Sequence, residues 1–98
     1  MKRYMEAKEI QILYFTAYFL HGRSKYGSAE RGDIRLARIG ACRGVMRVCR
    51  TLTEAPQPVL RSHLDEAFIL LQRQAERLTG GAFKTAYLET LAFLQKTV

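Results

Sequence analysis

The feature that most constrains the fold of this chain is an apolar repeat within residues 29–52. Its members recur at steps of three, four, four, three and four residues: Ile34, Ala37, Ala41, Val45, Val48 and Leu52. Side chains at this spacing share one side of an α-helix, because successive residues are rotated by about 100°. The segment is therefore predicted to be one amphipathic helix that packs its apolar side inward.

Three more helices are predicted from the same kind of periodicity. The expected boundaries of the four helices are residues 4–21, 29–53, 59–79 and 82–96. A strand is the competing interpretation of the aromatic first segment, but no other segment has the pattern of a partner strand. We therefore expect a single domain over residues 1–98, an all-α bundle of four helices with mostly antiparallel neighbours.

Glycine and proline mark the expected breaks between these helices. Gly22 is the predicted end of the first helix, and residues 54–58 (EAPQP) separate the second from the third. Ser28 is the expected N-cap of the second helix. The third helix is expected to begin near Pro58, or later with Ser62 as its cap.

The net charge of +7 is concentrated in one third of the chain. Between residues 21 and 53, only Glu30 and Asp33 oppose eight basic side chains, which are Arg23, Lys25, Arg31, Arg35, Arg38, Arg43, Arg47 and Arg50. A helical projection places four of them opposite the apolar repeat, namely Arg35, Arg43, Arg47 and Arg50, with Arg31 and Arg38 at its margin. Guanidinium groups bind phosphate through two hydrogen bonds and stack on bases. These residues are the predicted contact surface for nucleic acid or for an acidic protein surface.

Residues 36–48 also partly match a helix-turn-helix in which Gly40 makes the turn. The match is incomplete, because Leu36 stands where that motif needs a small residue. Alternatively, Gly40 and Gly44, together with Ala37 and Ala41, form a groove of small residues on one continuous helix. Such a groove is expected to receive the bulky first helix or to form a dimer seam.

The first helix carries a second candidate interface, which consists of Tyr14, Phe15, Tyr18 and Phe19. Between residues 10 and 20 this helix is apolar on nearly every side, which is more than a four-helix monomer is expected to cover. An uncovered aromatic face is typically a partner surface. Homodimerisation is the interpretation we favour for this face, and full burial within the monomer is the alternative.

Candidate catalytic and metal-binding residues are few. The histidines, His21 and His63, and the cysteines, Cys42 and Cys49, do not match the spacing of zinc sites. The cysteines lie two helical turns apart, about 10 Å along the axis, which is too far for a disulfide within one helix. No catalytic motif is present. We therefore expect no enzyme activity, no metal and no cofactor.

Composition excludes a membrane-spanning role, because the most apolar stretch, residues 10–20, has about half of the ~20 residues that a spanning helix needs. No signal-peptide pattern is present, and free thiols suit a reducing compartment, so the expected location is the cytoplasm. The expected function is that of a small basic regulatory protein that binds nucleic acid or a nucleoprotein through its arginine-rich helix. The alternative is a protein-binding adaptor or inhibitor.

Overall fold

The computed structural model describes residues 3–27, 29–55, 58–78 and 80–98 and contains four α-helices. These are α1 (Ala7–Tyr26), α2 (Gly32–Thr53), α3 (Arg61–Glu76) and α4 (Ala82–Gln95). α2 is the central element: it packs most extensively against α1 and α4 and also contacts α3. The predicted all-α bundle of four helices is confirmed.

The core forms where the apolar sides of the four helices meet. Leu13 of α1, Val45 of α2, Phe68 of α3 and Leu91 of α4 are all buried there. The apolar repeat that predicted α2 faces this core, and it is most deeply buried in its middle part. Burial of such side chains supplies most of the stability of the fold, since truncating one leucine in a core costs about 2–5 kcal/mol.

α1 differs from its prediction at both ends. It begins at Ala7 rather than at residue 4, because the Glu9 carboxylate accepts a hydrogen bond from the Glu6 N–H (3.1 Å) and Glu6 becomes the N-cap. It also continues through Gly22, the expected end, as far as Tyr26. A glycine inside a helix costs up to about 1 kcal/mol relative to alanine; the extension beyond Gly22 buries Ser24 in the last turn of α1.

α2 is one continuous helix, so residues 36–48 do not contain the turn that a helix-turn-helix requires. It begins at Gly32 rather than at residue 29, after Arg31 in an extended conformation. The expected N-cap, Ser28, lies outside the described residues. The straight course of α2 agrees with the unbroken spacing of its apolar repeat.

The groove of small residues on α2 is filled by α3 and α4. A Cβ atom added to Gly40 would lie 3.4 Å from Cε2 of Tyr87, and one added to Gly44 would lie 3.0 Å from Cδ2 of Leu71. The expected contact of these glycines with α1 is therefore wrong. A dimer seam along them is also excluded, because side chains of the same chain already occupy the space.

α3 begins at Arg61 rather than at residue 59, because the chain segment before it is held in an extended conformation by the N-terminal segment. The Met5 N–H donates a hydrogen bond to the Val59 carbonyl, and the Arg61 N–H donates one to the Arg3 carbonyl, both at 2.8 Å. Leu60 is consequently the N-cap, and neither of the two expected starting positions has that role.

α3 ends at Glu76, before the expected residue 79. α4 begins where predicted, at Ala82, directly after Gly81. The φ angle of Gly81 is 106°, a left-handed value that glycine adopts without the strain a Cβ atom would cause. α4 ends at Gln95, next to the expected end at residue 96.

Candidate functional site

A groove runs along the seam between α1 and α2. Its larger part has a volume of about 330 Å³ and is lined by Tyr14, Tyr18 and His21 of α1 and by Arg43, Met46, Arg47 and Arg50 of α2. An adjoining hollow of about 250 Å³ shares two of these residues and is lined by Ile10, Gln11, Tyr14, Phe15, Arg50, Thr53 and Glu54. Because the two hollows share residues, we treat them as one site and call it the α1–α2 groove.

One wall of the α1–α2 groove consists of arginines. Arg43, Arg47 and Arg50 follow the i, i+4, i+7 spacing, which places them within about 60° of one another on α2. All three are exposed, whereas Met46 beside them is only 9% exposed and forms the floor of the groove. Buried neighbours such as Cys42 and Cys49 fix the rotation of α2 and so hold these three side chains outward. We call this set the arginine wall.

The arginine wall is not neutralised by the part of the chain that the structure describes. The ion pairs found there use other basic residues, namely Arg3, Lys8, Arg38 and Arg61. Glu54 lines the same hollow as Arg50 but forms no ion pair with it. The wall therefore offers three positive charges, close together and accessible to solvent, to an anionic ligand.

The opposite wall of the groove is aromatic. The rings of Tyr14 and Tyr18 lie nearly parallel, at 16°, with centroids 6.4 Å apart, and the Phe15 ring meets Tyr14 edge-on at 5.7 Å. Tyr18 is 60% exposed and Phe15 is 64% exposed, so both present ring surface to solvent. We call these three residues the aromatic wall. Phe19, the fourth aromatic predicted at this interface, does not line the groove and is 70% exposed on the outer side of α1.

The sequence predicted the arginines and the aromatics as two separate surfaces, and the structure brings them together as facing walls of one groove. It also adds His21, which the sequence offered only as a zinc ligand of unsuitable spacing. The Nε2 atom of His21 is buried and has no hydrogen-bond partner among the described residues. Its spacing from Tyr14 and Tyr18, seven and three residues, is the sequence signal that places all three on one side of α1.

The charge state of His21 follows from its position in the groove. Desolvation lowers the pKa of His21, and the positive charges of Arg43 and Lys25 lower it further. The imidazole is therefore neutral near pH 7 and adds no charge to the groove. A neutral imidazole nitrogen can either donate or accept a hydrogen bond, depending on its tautomer.

Arg38 does not belong to the available arginines. Its Nε and Nη2 atoms donate hydrogen bonds to the two carboxylate oxygens of Glu30, at 2.7 and 2.8 Å, and its Nη1 donates to Oγ1 of Thr90 at 3.2 Å. The hydrogen bonds to Glu30 raise the pKa of Arg38 against the opposing effect of desolvation. The side chain links the segment before α2 to α4, which is a structural role.

The other four basic residues predicted at the site do not line the α1–α2 groove. Arg31 and Arg35 are exposed near the start of α2. Lys25 lies over the ring of Tyr26, with its Nζ atom 5.3 Å from the ring centroid. Arg23 lines a second cleft, of about 530 Å³, near the C-terminal end of α1. The eight predicted residues thus separate into three in the groove, one in an ion pair and four elsewhere.

The two thiols are inert in this structure. Cys42 and Cys49 are buried and form no disulfide, as their spacing predicts. Burial raises the pKa of Cys42 to about 12 and that of Cys49 to about 11, so both are protonated at neutral pH. Within the described residues, no group of three or more His, Cys, Asp or Glu side chains is placed to hold a metal ion. The groove accordingly suits binding by charge and stacking.

The comparisons with protein-family models, with curated proteins and with solved structures give no match. Within the ranges that the structure describes, no helix combines the length and apolar character needed to cross a bilayer. A functional interpretation therefore depends on the chemistry of the groove.

Proposed function

We propose that this protein is a small, non-catalytic regulatory protein of the cytoplasm that binds nucleic acid through the α1–α2 groove. The observation that carries the proposal is the arginine wall: Arg43, Arg47 and Arg50 lie in a row, exposed and without an ion pair in the described structure. A guanidinium group presents its donors in a planar fork that fits phosphate oxygens. From the first arginine to the third, the row extends about 10 Å along α2, so it can follow a run of phosphates.

The distribution of charge supports the same function. The region that contains the groove holds most of the net charge of the protein, whereas the rest of the chain is nearly neutral. A local positive field attracts a polyanion from a distance and speeds its association, and salt weakens that attraction. Binding of this kind is governed by phosphate contacts and by the release of counterions.

A second candidate function is that of an adaptor or inhibitor that binds an acidic protein surface. Ile12, Phe15 and Phe19 are exposed on α1, and this apolar strip adjoins the arginine wall through Phe15. Aromatic residues and arginine are enriched in the energetically dominant parts of protein interfaces. A second copy of this chain could bind the same strip, which would form a homodimer. Size-exclusion chromatography with light scattering tests this prediction.

The primary test is direct binding to labelled DNA and RNA of mixed sequence, measured by fluorescence anisotropy at low salt. The test variant is the triple substitution Arg43→Ala, Arg47→Ala and Arg50→Ala. The matched control removes the same number of positive charges from exposed positions outside the groove: Arg73→Ala, Arg77→Ala and Lys96→Ala. We expect wild type and control to bind and the groove variant to lose binding. Equal binding by all three proteins, or none by wild type, would refute the proposal.

A pull-down from cell lysate, with and without nuclease, separates the two candidate functions. Nucleic-acid binding predicts that bound material is lost after nuclease treatment and after substitution of the arginine wall. An acidic protein partner predicts that one or more proteins stay bound after nuclease treatment and that Phe19→Ser removes them. In the second outcome, the adaptor or inhibitor function replaces the first.

A further inference from the structure

We infer that the α1–α2 groove is built for single-stranded nucleic acid, with phosphates on the arginine wall and bases stacked on the aromatic wall. This inference depends on the proposed function, because it names the form of nucleic acid that the same groove takes. Three observations support it: the exposed rings, the position of the arginines in a groove that α2 shares with α1, and the buried nitrogen without a partner on His21.

The aromatic wall is the first observation. The rings of Tyr14 and Tyr18 form nearly parallel surfaces that face the same groove as the arginines. An unpaired base can stack on such a ring, and proteins that bind single strands combine aromatic platforms with a basic groove in this way. The bases of a duplex are already stacked on one another, so a duplex leaves these rings without a function.

The position of α2 is the second observation. The major groove of B-DNA is about 12 Å wide and admits one helix, whose diameter with side chains is about 10–12 Å. α2 packs most extensively against α1 and α4, and its arginine wall lines a groove that it shares with α1. A helix that reads base edges in a duplex inserts its exposed side into the major groove, whereas the arginine wall faces the rings of α1 across a shared groove. A single strand can lie along the shallow groove without such insertion.

His21 is the third observation. Its Nε2 atom is buried at the groove and lacks a hydrogen-bond partner among the described residues. Buried polar atoms normally have a partner, because leaving one unsatisfied is costly. An unstacked base exposes its hydrogen-bonding edge, which a duplex hides in base pairing, so a single strand can supply the missing partner once the His21 ring turns toward the groove.

The test compares the affinity of the full-length protein for three fluorescent probes of one sequence, each about 12 nucleotides long. The probes are single-stranded DNA, single-stranded RNA and the DNA duplex. The variants are Tyr18→Ala, which removes an exposed ring of the aromatic wall, and Tyr18→Phe, which keeps the ring. Circular dichroism confirms that both variants remain helical. A parallel measurement follows the fluorescence of 2-aminopurine in the single strands, which is quenched when that base stacks on a ring.

We expect at least one single strand to bind tightly and the duplex to bind weakly. Tyr18→Ala should weaken single-strand binding by about 5-fold or more and reduce the 2-aminopurine quenching, since stacking on one aromatic contributes about 1–3 kcal/mol per base. Tyr18→Phe should restore both. The DNA and RNA probes show which sugar the groove prefers.

The outcomes separate this inference from the proposed function. The inference is wrong if the duplex binds as tightly as the single strands and this binding requires the arginine wall. It is also wrong if Tyr18→Ala binds the single strands as tightly as wild type. In both cases the protein still binds nucleic acid. If none of the three probes binds wild type at low salt, the proposed function itself fails. Retention of an acidic protein by wild type but not by the arginine-wall variant, with no binding of any probe, assigns the groove to a protein partner.

Discussion

Removing the arginine wall should change the salt dependence of nucleic-acid binding by an amount that follows from the structure. Each cation that displaces a counterion from a phosphate contributes about 0.7 to the slope of log K against log salt on a single strand, and about 0.9 on a duplex. Arg43, Arg47 and Arg50 are exposed and without ion pairs in the described structure, so each is free to make one such contact. Together they account for a slope of about 2.1 on a single strand or about 2.7 on a duplex.

This slope corresponds to a large change in affinity. Raising the salt concentration fourfold, from about 50 mM to about 200 mM, should weaken binding through these three residues by about 20-fold on a single strand or about 40-fold on a duplex. The triple variant Arg43→Ala, Arg47→Ala and Arg50→Ala should lose this part of the salt dependence as well as affinity at low salt. The remaining slope reflects the other cations of the protein.

The assay is a set of anisotropy titrations at four or more salt concentrations, with wild type, the groove variant and the control that carries Arg73→Ala, Arg77→Ala and Lys96→Ala. Both variants have the same net charge, so a difference in slope between them measures local contacts rather than the total field of the protein. We expect the groove variant to have a slope about 2 smaller than that of the control. Equal slopes for the two variants would refute direct phosphate contact by the arginine wall.

The remaining predictions concern structural residues. Arg38→Ala should lower the free energy of unfolding by about 1 kcal/mol, a value reduced for solvent screening because the Arg38 side chain is 25% exposed. Thermal melting measures this loss. The salt dependence of nucleic-acid binding should stay unchanged in this variant, because Arg38 is not part of the arginine wall. Gly22→Ala should stabilise the protein by about 0.5–1 kcal/mol, since α1 continues through this position and an added Cβ meets nothing within 4 Å. Thermal melting measures this change, and a lower melting temperature than that of wild type would mean that the helix ends at Gly22. Cys42 and Cys49 should react with iodoacetamide at neutral pH only in denaturant, and fast reaction of the native protein would contradict their burial. Because burial raises both pKa values, the stability that these thiols contribute is complete below about pH 9 and is lost as the pH rises through about 11 to 12. Unfolding curves recorded at increasing pH measure this loss.

The helices could be predicted from the sequence because their periodicity depends on local geometry alone. The helix ends depended on contacts that the sequence does not reveal. The start of α3 is set by pairing with residues far away in the chain, through Met5 and Val59. α1 continues past Gly22, a residue type that often ends a helix, and Ser24 in its last turn is buried against the rest of the fold. Local signals therefore identified the elements, and tertiary contacts decided where each begins or ends.

The groove could be predicted only in parts. The spacing of Arg43, Arg47 and Arg50 placed them on one face of α2, but which side of α1 would lie next to them was open, because α1 is apolar on several sides. The structure buries the side that contains Leu13 and Ala17, and this rotation directs Tyr14 and Tyr18 toward the arginines. The pairing of Arg38 was equally hidden, because Glu30 is eight residues away and precedes α2, so the i, i+4 rule for helices does not apply.

The energetics of the free protein give a reason to regard the arginine wall as functional. Arg43 and Arg47 are separated by four residues, and Arg47 and Arg50 by three, so neighbouring like charges repel each other on the surface of α2, at a cost of about 0.2–0.5 kcal/mol per pair. Within the described structure these side chains are exposed and form no ion pair that would offset this repulsion. Arg38 shows the contrast, since the same type of side chain there connects two parts of the fold. Under the proposed function, a bound polyanion turns the repulsion within the arginine wall into attraction, an energetic gain that the free chain lacks.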